Sequence, residues 1–259
     1  MVAPVMNIEV KEKISESDFL NTKRVGLSGW KQIPSSFPFV DFNIYTVQVE
    51  IPSGVPTKGD FGKYGIALPH NFQEMGTKRR REYLAGRLCA RKALEFAGRF
   101  DLPPPSSHAD RSPNWPDGII GSISHTDHIA AASIASSCHY RSLGIDIEPI
   151  MGRETCNMIS EDVLVAGEDY INRPKSLHPI REEEYTTLIF SAKESIYKSL
   201  YRDVGKFFGF EAVRLEKVQS NKLTFSVRNS LCDKWFKGTL IDVYYQITQG
   251  NVYTLSVIE

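Results

Sequence analysis

Residues 121–148 read GSISHTDHIAAASIASSCHYRSLGIDIE. Three strand-like runs, GSISH, HIAAASIA and YRSLGIDIE, follow one another with only short breaks, as in an antiparallel arrangement. A helical pattern lies on each side of this stretch. Upstream, from Thr77 to about Gly98, Ala85, Leu88, Cys89, Ala93 and Phe96 recur at spacings of three or four; a threonine starts the segment and a glycine ends it. Downstream, from Ile180 to about Tyr201, Tyr185, Ile189, Ala192, Ile196 and Leu200 form one apolar stripe. Outside the helices, Asn43–Ile51 alternates as a half-buried strand. IDVYYQI and NVYTLSVI flank Gln-Gly-Asn, a hairpin signal. Each half of the chain therefore holds a long helix and several strands without strict alternation. The expected class is α+β in two similar-sized lobes, 1–142 and 143–259.

Two stretches read as breaks. Leu102-Pro-Pro-Pro, running on to Pro113 and Pro116, is too rich in proline for a helix or central strand. Pro149 to about Pro179 is mixed in pattern, with weak helical character around Glu161 to Tyr170.

Composition narrows the function classes. The 259 residues carry 31 Lys+Arg against 31 Asp+Glu, a formal net charge of zero, which argues against a general nucleic-acid binder. The longest apolar run, Ile129 to Ala135, is strand-sized, far below the roughly 18 residues of a membrane span. The start, MVAPVMNIEVKEKISESD, lacks the basic and apolar stretches of a signal peptide. Cys89, Cys138, Cys156 and Cys232 are scattered and form no CxxC, so neither a zinc site nor a disulfide framework is indicated. The expected compartment is the cytoplasm.

Four groups of residues carry possible chemistry. In Gly144-Ile-Asp-Ile-Glu148, alternation turns Leu143, Ile145 and Ile147 to one side and Asp146 and Glu148 to the other. Two strand residues separate the acids by roughly 6.6 Å, close enough to share one hard cation, Mg²⁺ before zinc for oxygen ligands. An isolated D-x-E is more often a solvated strand face. Gly144 hints at a close backbone approach. In Phe190-Ser-Ala-Lys-Glu-Ser-Ile-Tyr-Lys198, Glu194 and Lys198 sit one turn apart, ordinarily a surface ion pair of about 0.2–0.5 kcal/mol. Phe190, Tyr197 and Tyr201 flank them, however, which favours a partnered site. Ser124 and His125 are adjacent, so on a strand they point apart and cannot form a nucleophilic pair; each can still offer donors to an anion. Finally, Lys78-Arg-Arg-Arg81 opens a helix on which Arg80, Arg87 and Arg91 share a face. That is a solvated charge face or a phosphate seat.

In combination and order these pieces are more specific than alone. RRREYLAGRLCARKAL, RSPNWPDGIIGSISHT, LGIDIEP and FSAKESIYKSL, spanning roughly Arg79 to Phe210, closely resemble the Sfp-type 4′-phosphopantetheinyl transferases, and within them the branch of the enterobactin synthetase component D, which serves siderophore synthetases. GIDIE followed by SAKES-x-x-K is the most specific part; Phe190 stands where the family often has Trp, a conservative packing change. The resemblance implies two pseudo-symmetric α+β lobes with the active site between them. It implies transfer of the phosphopantetheine arm of coenzyme A to a serine of an apo carrier domain (peptidyl, aryl or acyl), with release of adenosine 3′,5′-bisphosphate. By position, Asp146, Glu148 and Glu194 would bind Mg²⁺ and Lys198 would meet the pyrophosphate. Ser124 and His125 would hold phosphates of coenzyme A, and Arg79 or Arg80 with Arg87 and Arg111 would complete the basic wall. Glu194 is the candidate base, with Lys193 or a metal-bound hydroxide as alternatives. A monomer would suffice. From the residues alone, a Mg²⁺-dependent phosphoesterase or a non-catalytic binder of coenzyme A are the competing readings.

Overall fold

The computed structural model describes residues 30–259 except 39, 42, 175, 176 and 178. The signal-peptide reading of the first residues falls outside them. In chain order the elements are β1 (Lys31–Ile33), β2 (Tyr45–Glu50), α1 (Lys58–Lys63), α2 (Thr77–Phe96), β3 (Ser106–Ser107), β4 (Pro113–Asn114), β5 (Ile119–His125), β6 (Ile129–Ser136) and β7 (Ser142–Pro149). There follow α3 (Arg153–Val163), α4 (Glu182–Val204), β8 (Val213–Gln219), β9 (Lys222–Val227), β10 (Leu240–Thr248) and β11 (Asn251–Ile258).

The strands form a four-stranded sheet, β1-β2-β6-β5, and a five-stranded sheet, β7-β11-β10-β9-β8. Every pairing is antiparallel. The class is α+β, as the sequence implied. Alternation explains how the layers stack. On β6, Ala130, Ala132 and Ile134 pack with Ala85, Cys89, Ala90 and Ala93 of α2, while Ala131 and Ala135 turn the other way onto Ile145, Ile147, Tyr253 and Leu255 of the second sheet. The far side of that sheet, through Leu223, Phe225, Val243 and Val252, buries Leu188, Ile189, Ala192, Ile196 and Leu200 of α4. The order of layers is thus helix, sheet, sheet, helix. HIAAASIA reads as a nearly continuous apolar run because both its faces are covered.

The sheets are also joined by hydrogen bonds. As an edge strand, β7 has amides that no neighbouring strand takes up; Ser122 Oγ accepts from Ile145 N (3.0 Å) and Ser124 Oγ from Ile147 N (3.2 Å). Two serines of one sheet thus finish the edge of the other.

Two expectations change in detail and a third holds. The cap of α2 is Gly76, with no side-chain hydrogen bond; Thr77 is already inside the helix, and Gly98 beyond its end adopts the left-handed backbone (φ 73). The stretch after Pro149 holds a helix, α3, earlier than the weak signal placed it. Gln249 and Gly250, both at positive φ, make the β10–β11 turn as the Gln-Gly-Asn pattern suggested. No helix among the described residues is long and apolar enough to cross a membrane.

Candidate active site

The site begins at the contact of β7 with α4. A Cβ on Gly144 would lie 2.0 Å from the Ser195 carbonyl oxygen and 2.7 Å from Ser199 N, so only glycine lets the helix backbone come this close. Small hydroxyl residues line the rest of the contact. Ser191 and Thr254 pair at 2.9 Å, Ser199 and Ser256 at 3.2 Å, and Ser142 Oγ donates to Ser199 O (2.7 Å). Ser191, Ser195 and Ser199 recur every fourth residue, a stripe beside the apolar one that the sequence reading passed over.

This approach sets Lys198 over the strand. Its Nζ donates to Asp146 Oδ1 (2.7 Å), Ile145 O (3.0 Å) and Ser124 Oγ (3.2 Å), and Ser124 Oγ itself donates to Asp146 Oδ1 (3.0 Å). In place of an ordinary i,i+4 pair with Glu194, Lys198 bonds across to the sheet. Asp146 is buried, and among the described residues its Oδ2 has no hydrogen-bond partner. Glu148 is pushed up to about 8, first by burial and then by the charges of Asp146 and Glu194, against the pull of Lys198. Burial likewise raises Glu194, with Asp146 adding to it and Lys198 opposing. The charge of Asp146 thus acts on both Glu148 and Glu194. Among the described residues they do not close on one point as a ready-made metal cage. Their chemistry nonetheless fits a hard divalent cation: all donors are oxygens, one buried carboxylate oxygen is unpartnered, and mutual repulsion is relieved by positive charge.

The basic groups stand across β5. Ser124 faces the second sheet and His125 faces α2, which removes any Ser–His pair. Arg79 Nη1 lies 3.1 Å from His125 Nε2, and the buried Glu82 carboxylate lies 3.4 Å from Arg79 and 3.7 Å from His125. Donation from Arg79 makes His125 Nε2 an acceptor, so the ring is neutral; burial, the largest influence, also lowers its pKa. Arg87 is buried, stacks on Tyr83 at 4.5 Å, and donates to Ser106 O (3.0 Å) and Ser107 Oγ (2.9 Å).

The shared arginine face of α2 does not survive. Arg80 lies over Phe72 (4.4 Å) and reaches Gln73 O, and Arg91 donates to Tyr64 O. The structure brings Arg79 to His125, ties Arg87 to β3 and Tyr83, and turns Arg80 and Arg91 elsewhere. The first turn of α2 has no acidic residue, leaving basic side chains at the positive end of the helix dipole, an arrangement an anion would stabilise. Arg111 is exposed, in the turn between β3 and β4.

Lys193, the alternative base, points away from the acids. Its Nζ is buried against Glu168 Oε2 (2.6 Å) and Val163 O (2.8 Å). Glu168 also accepts from Val165 N and Leu215 N. Glu82 and Glu168 were missed as candidates because their partners are distant in sequence or shared with a run of other charges. Two hollows elsewhere, about 500 Å³ beside residues 137–142 and about 610 Å³ beside Gly65, Arg91 and Phe100, include none of the acids.

Comparison with known proteins gives two adjoining matches. Residues 68–135 match the model of the 4′-phosphopantetheinyl transferase N-terminal domain, and residues 142–250 match that of the 4′-phosphopantetheinyl transferase superfamily. Enterobactin synthase component D of Salmonella typhi is 32% identical over 187 residues, which is 71% of this chain and 74% of that protein. The 4′-phosphopantetheinyl transferase Svp of Streptomyces mobaraensis is 33% identical over 153 residues (58% of this chain, 59% of the relative). The 4′-phosphopantetheinyl transferase Npt of Nocardia iowensis is 35% identical over 158 residues (58% and 64%).

Proposed function

The chain belongs to the 4′-phosphopantetheinyl transferase superfamily, and from that premise we propose that it moves the arm of coenzyme A to a serine of an apo carrier domain, with Mg²⁺, releasing adenosine 3′,5′-bisphosphate. The observation that carries this reading is the unpartnered, buried Asp146 carboxylate oxygen amid mutually repelling acids, directly beside Lys198.

Asp146, Glu148 and Glu194 would hold Mg²⁺, which when bound would neutralise charge on the phosphoryl oxygens. The side chains account for the rest. Lys198 carries its ammonium, partly exposed, at the rim of the acids and can turn from Asp146 to the pyrophosphate. Ser124 fixes that ammonium and Asp146 from the opposite sheet. His125 with Arg79, Arg87 and Arg111 would make the wall for the remaining phosphates. Glu194, on the helix that carries Lys198, is the base that takes the serine proton, directly or through a water. The attack of the serine oxygen on the β-phosphorus then expels the nucleotide bisphosphate.

The free cysteines suit a reducing compartment, and function in the cytoplasm as a monomer belongs to this reading. So does division into units 1–142 and 143–259, supported by family matches that end at 135 and resume at 142. Siderophore synthetases are the proposed clients, on the likeness to enterobactin synthase component D.

Incubating an apo peptidyl or aryl carrier domain with coenzyme A, Mg²⁺ and the protein should add the phosphopantetheine mass to the carrier. Asp146→Ala should lower the rate by at least about a hundredfold, as removal of a strong electrostatic contact does. Unimpaired transfer by Asp146→Ala would sink the metal assignment.

A further inference from the structure

The turn that bears Arg111 is held at both ends by residues outside it. At its base, Arg87 donates to Ser106 O (3.0 Å) and Ser107 Oγ (2.9 Å) on β3. At its tip, the Tyr201 hydroxyl of α4 donates to Asp110 Oδ2 (2.9 Å), a bond across 91 residues of chain. Tyr201 lies one turn past Lys198 and two past Glu194, so the turn meets the helix that carries the proposed base.

Asp110 also shapes the turn. Its Oδ1 accepts from Ser112 N (2.9 Å) and Ser112 Oγ (2.7 Å), while His108 N donates to Ser112 O (2.9 Å) and Arg111 N to His108 O (3.0 Å). Arg111 is thereby held at φ 73, a left-handed backbone for which glycine would be the unstrained choice. Strain of this kind persists only where the surroundings over-determine it, and at functional sites it serves to present a side chain. β3 and β4 have two residues each and belong to neither larger sheet, and the Tyr201–Asp110 bond ties their turn to α4.

We propose that Tyr201 and Asp110 are positioning residues, whose hydrogen bond between the two helix–sheet units holds the Arg111 guanidinium in place for a phosphate of coenzyme A. This rests on the reading of Arg111 given above. Neither residue touches the substrate in this proposal; both act through Arg111.

The test is a double-mutant cycle with Tyr201→Phe and Arg111→Ala, measuring KM for coenzyme A and kcat with an apo carrier domain. Tyr201→Phe removes one hydroxyl and should raise KM for coenzyme A about three- to tenfold, the range of one hydrogen bond, with little change in kcat. Arg111→Ala should raise it at least as much, and the double variant no further, because the hydroxyl has nothing left to position. Asp110→Asn should follow Tyr201→Phe. Independent effects that multiply in the double variant, or a fall in kcat at constant KM, would overturn the positioning role. An Arg111→Ala variant with unchanged KM would instead remove the role of Arg111 itself, and the two failures are told apart by that single variant.

Discussion

Each unit uses a glycine where its long helix meets its sheet, but the two are placed in opposite ways. In the first, Gly86 is on the helix, and a Cβ there would lie 2.6 Å from Ile123 Cγ2, a side-chain atom. In the second, Gly144 is on the strand, and the obstacle is the backbone of α4 at Ser195 and Ser199. Relief at Gly86 takes a displacement of the Ile123 side chain, whereas a helix backbone cannot shift without moving everything it carries. Hence α2 has adjustable footing, whereas α4 is pinned by backbone contact and by serines hydrogen-bonded to the sheet. The proposed base and the pyrophosphate lysine lie on the pinned helix. Groups that act on reacting atoms tolerate less displacement than groups that hold remote phosphates.

The most damaging change should come from a second device that fixes α4. Lys193 and Glu168 form an ion pair in which both side chains are about 1% exposed, and Lys193→Met leaves a buried carboxylate facing two backbone amides. Losing one partner of such a pair typically costs about 3–5 kcal/mol, so urea denaturation should show a loss of that size. Gly144→Ala comes next, at about 3 kcal/mol, since added volume pressed against backbone lies at the upper end of overpacking costs. Gly86→Ala should cost less, about 1 kcal/mol, because alanine's helix propensity offsets part of the displacement of Ile123. If Gly86→Ala proved as costly as Gly144→Ala in the same titration, the contrast between the two contacts would be broken.

Much of this architecture was legible because it depends on local pattern. The alternation in LGIDIE placed Ile145 and Ile147 in the core and Asp146 and Glu148 opposite, and Gly144 announced a close approach. The approaching element was not legible, because Ser191, Ser195 and Ser199 read as ordinary polar helix residues until Thr254 and Ser256 face them. α3 was misplaced because its contact residues are few; Cys156 and Val163 alone are buried. The arginines of α2 were legible as a basic helix, but their sorting was not. Arg80 and Arg91 find partners in residues 64–73, and Arg87 finds them on β3, none of which helical spacing can foresee. Lys193 stood as an alternative to Glu194 in SAKES; one residue of helix rotation, about 100°, sends it into the core instead.

The smallest expected effect lies on the adjustable side, at His125. Burial lowers its pKa below the ordinary 6.5, Arg79 and Lys198 push the same way, and Glu82 and Asp146 oppose. Below the ordinary value the unfolded chain binds the proton more readily than the folded one. Stability then rises with pH across that window and is lost as pH falls through 6.5 towards the lower folded value. His125→Gln keeps an acceptor for Arg79 and removes the titration, so the stability of wild type relative to the variant should rise as pH goes from about 5 to about 7.5. Glu82→Gln removes the carboxylate that favours the imidazolium and should steepen the wild-type slope. A wild-type acid limb parallel to that of His125→Gln would mean the ring titrates alike folded and unfolded. The Arg79–His125 contact would then be too loose to hold the ring neutral, and the basic wall would be more mobile than the contrast with α4 requires.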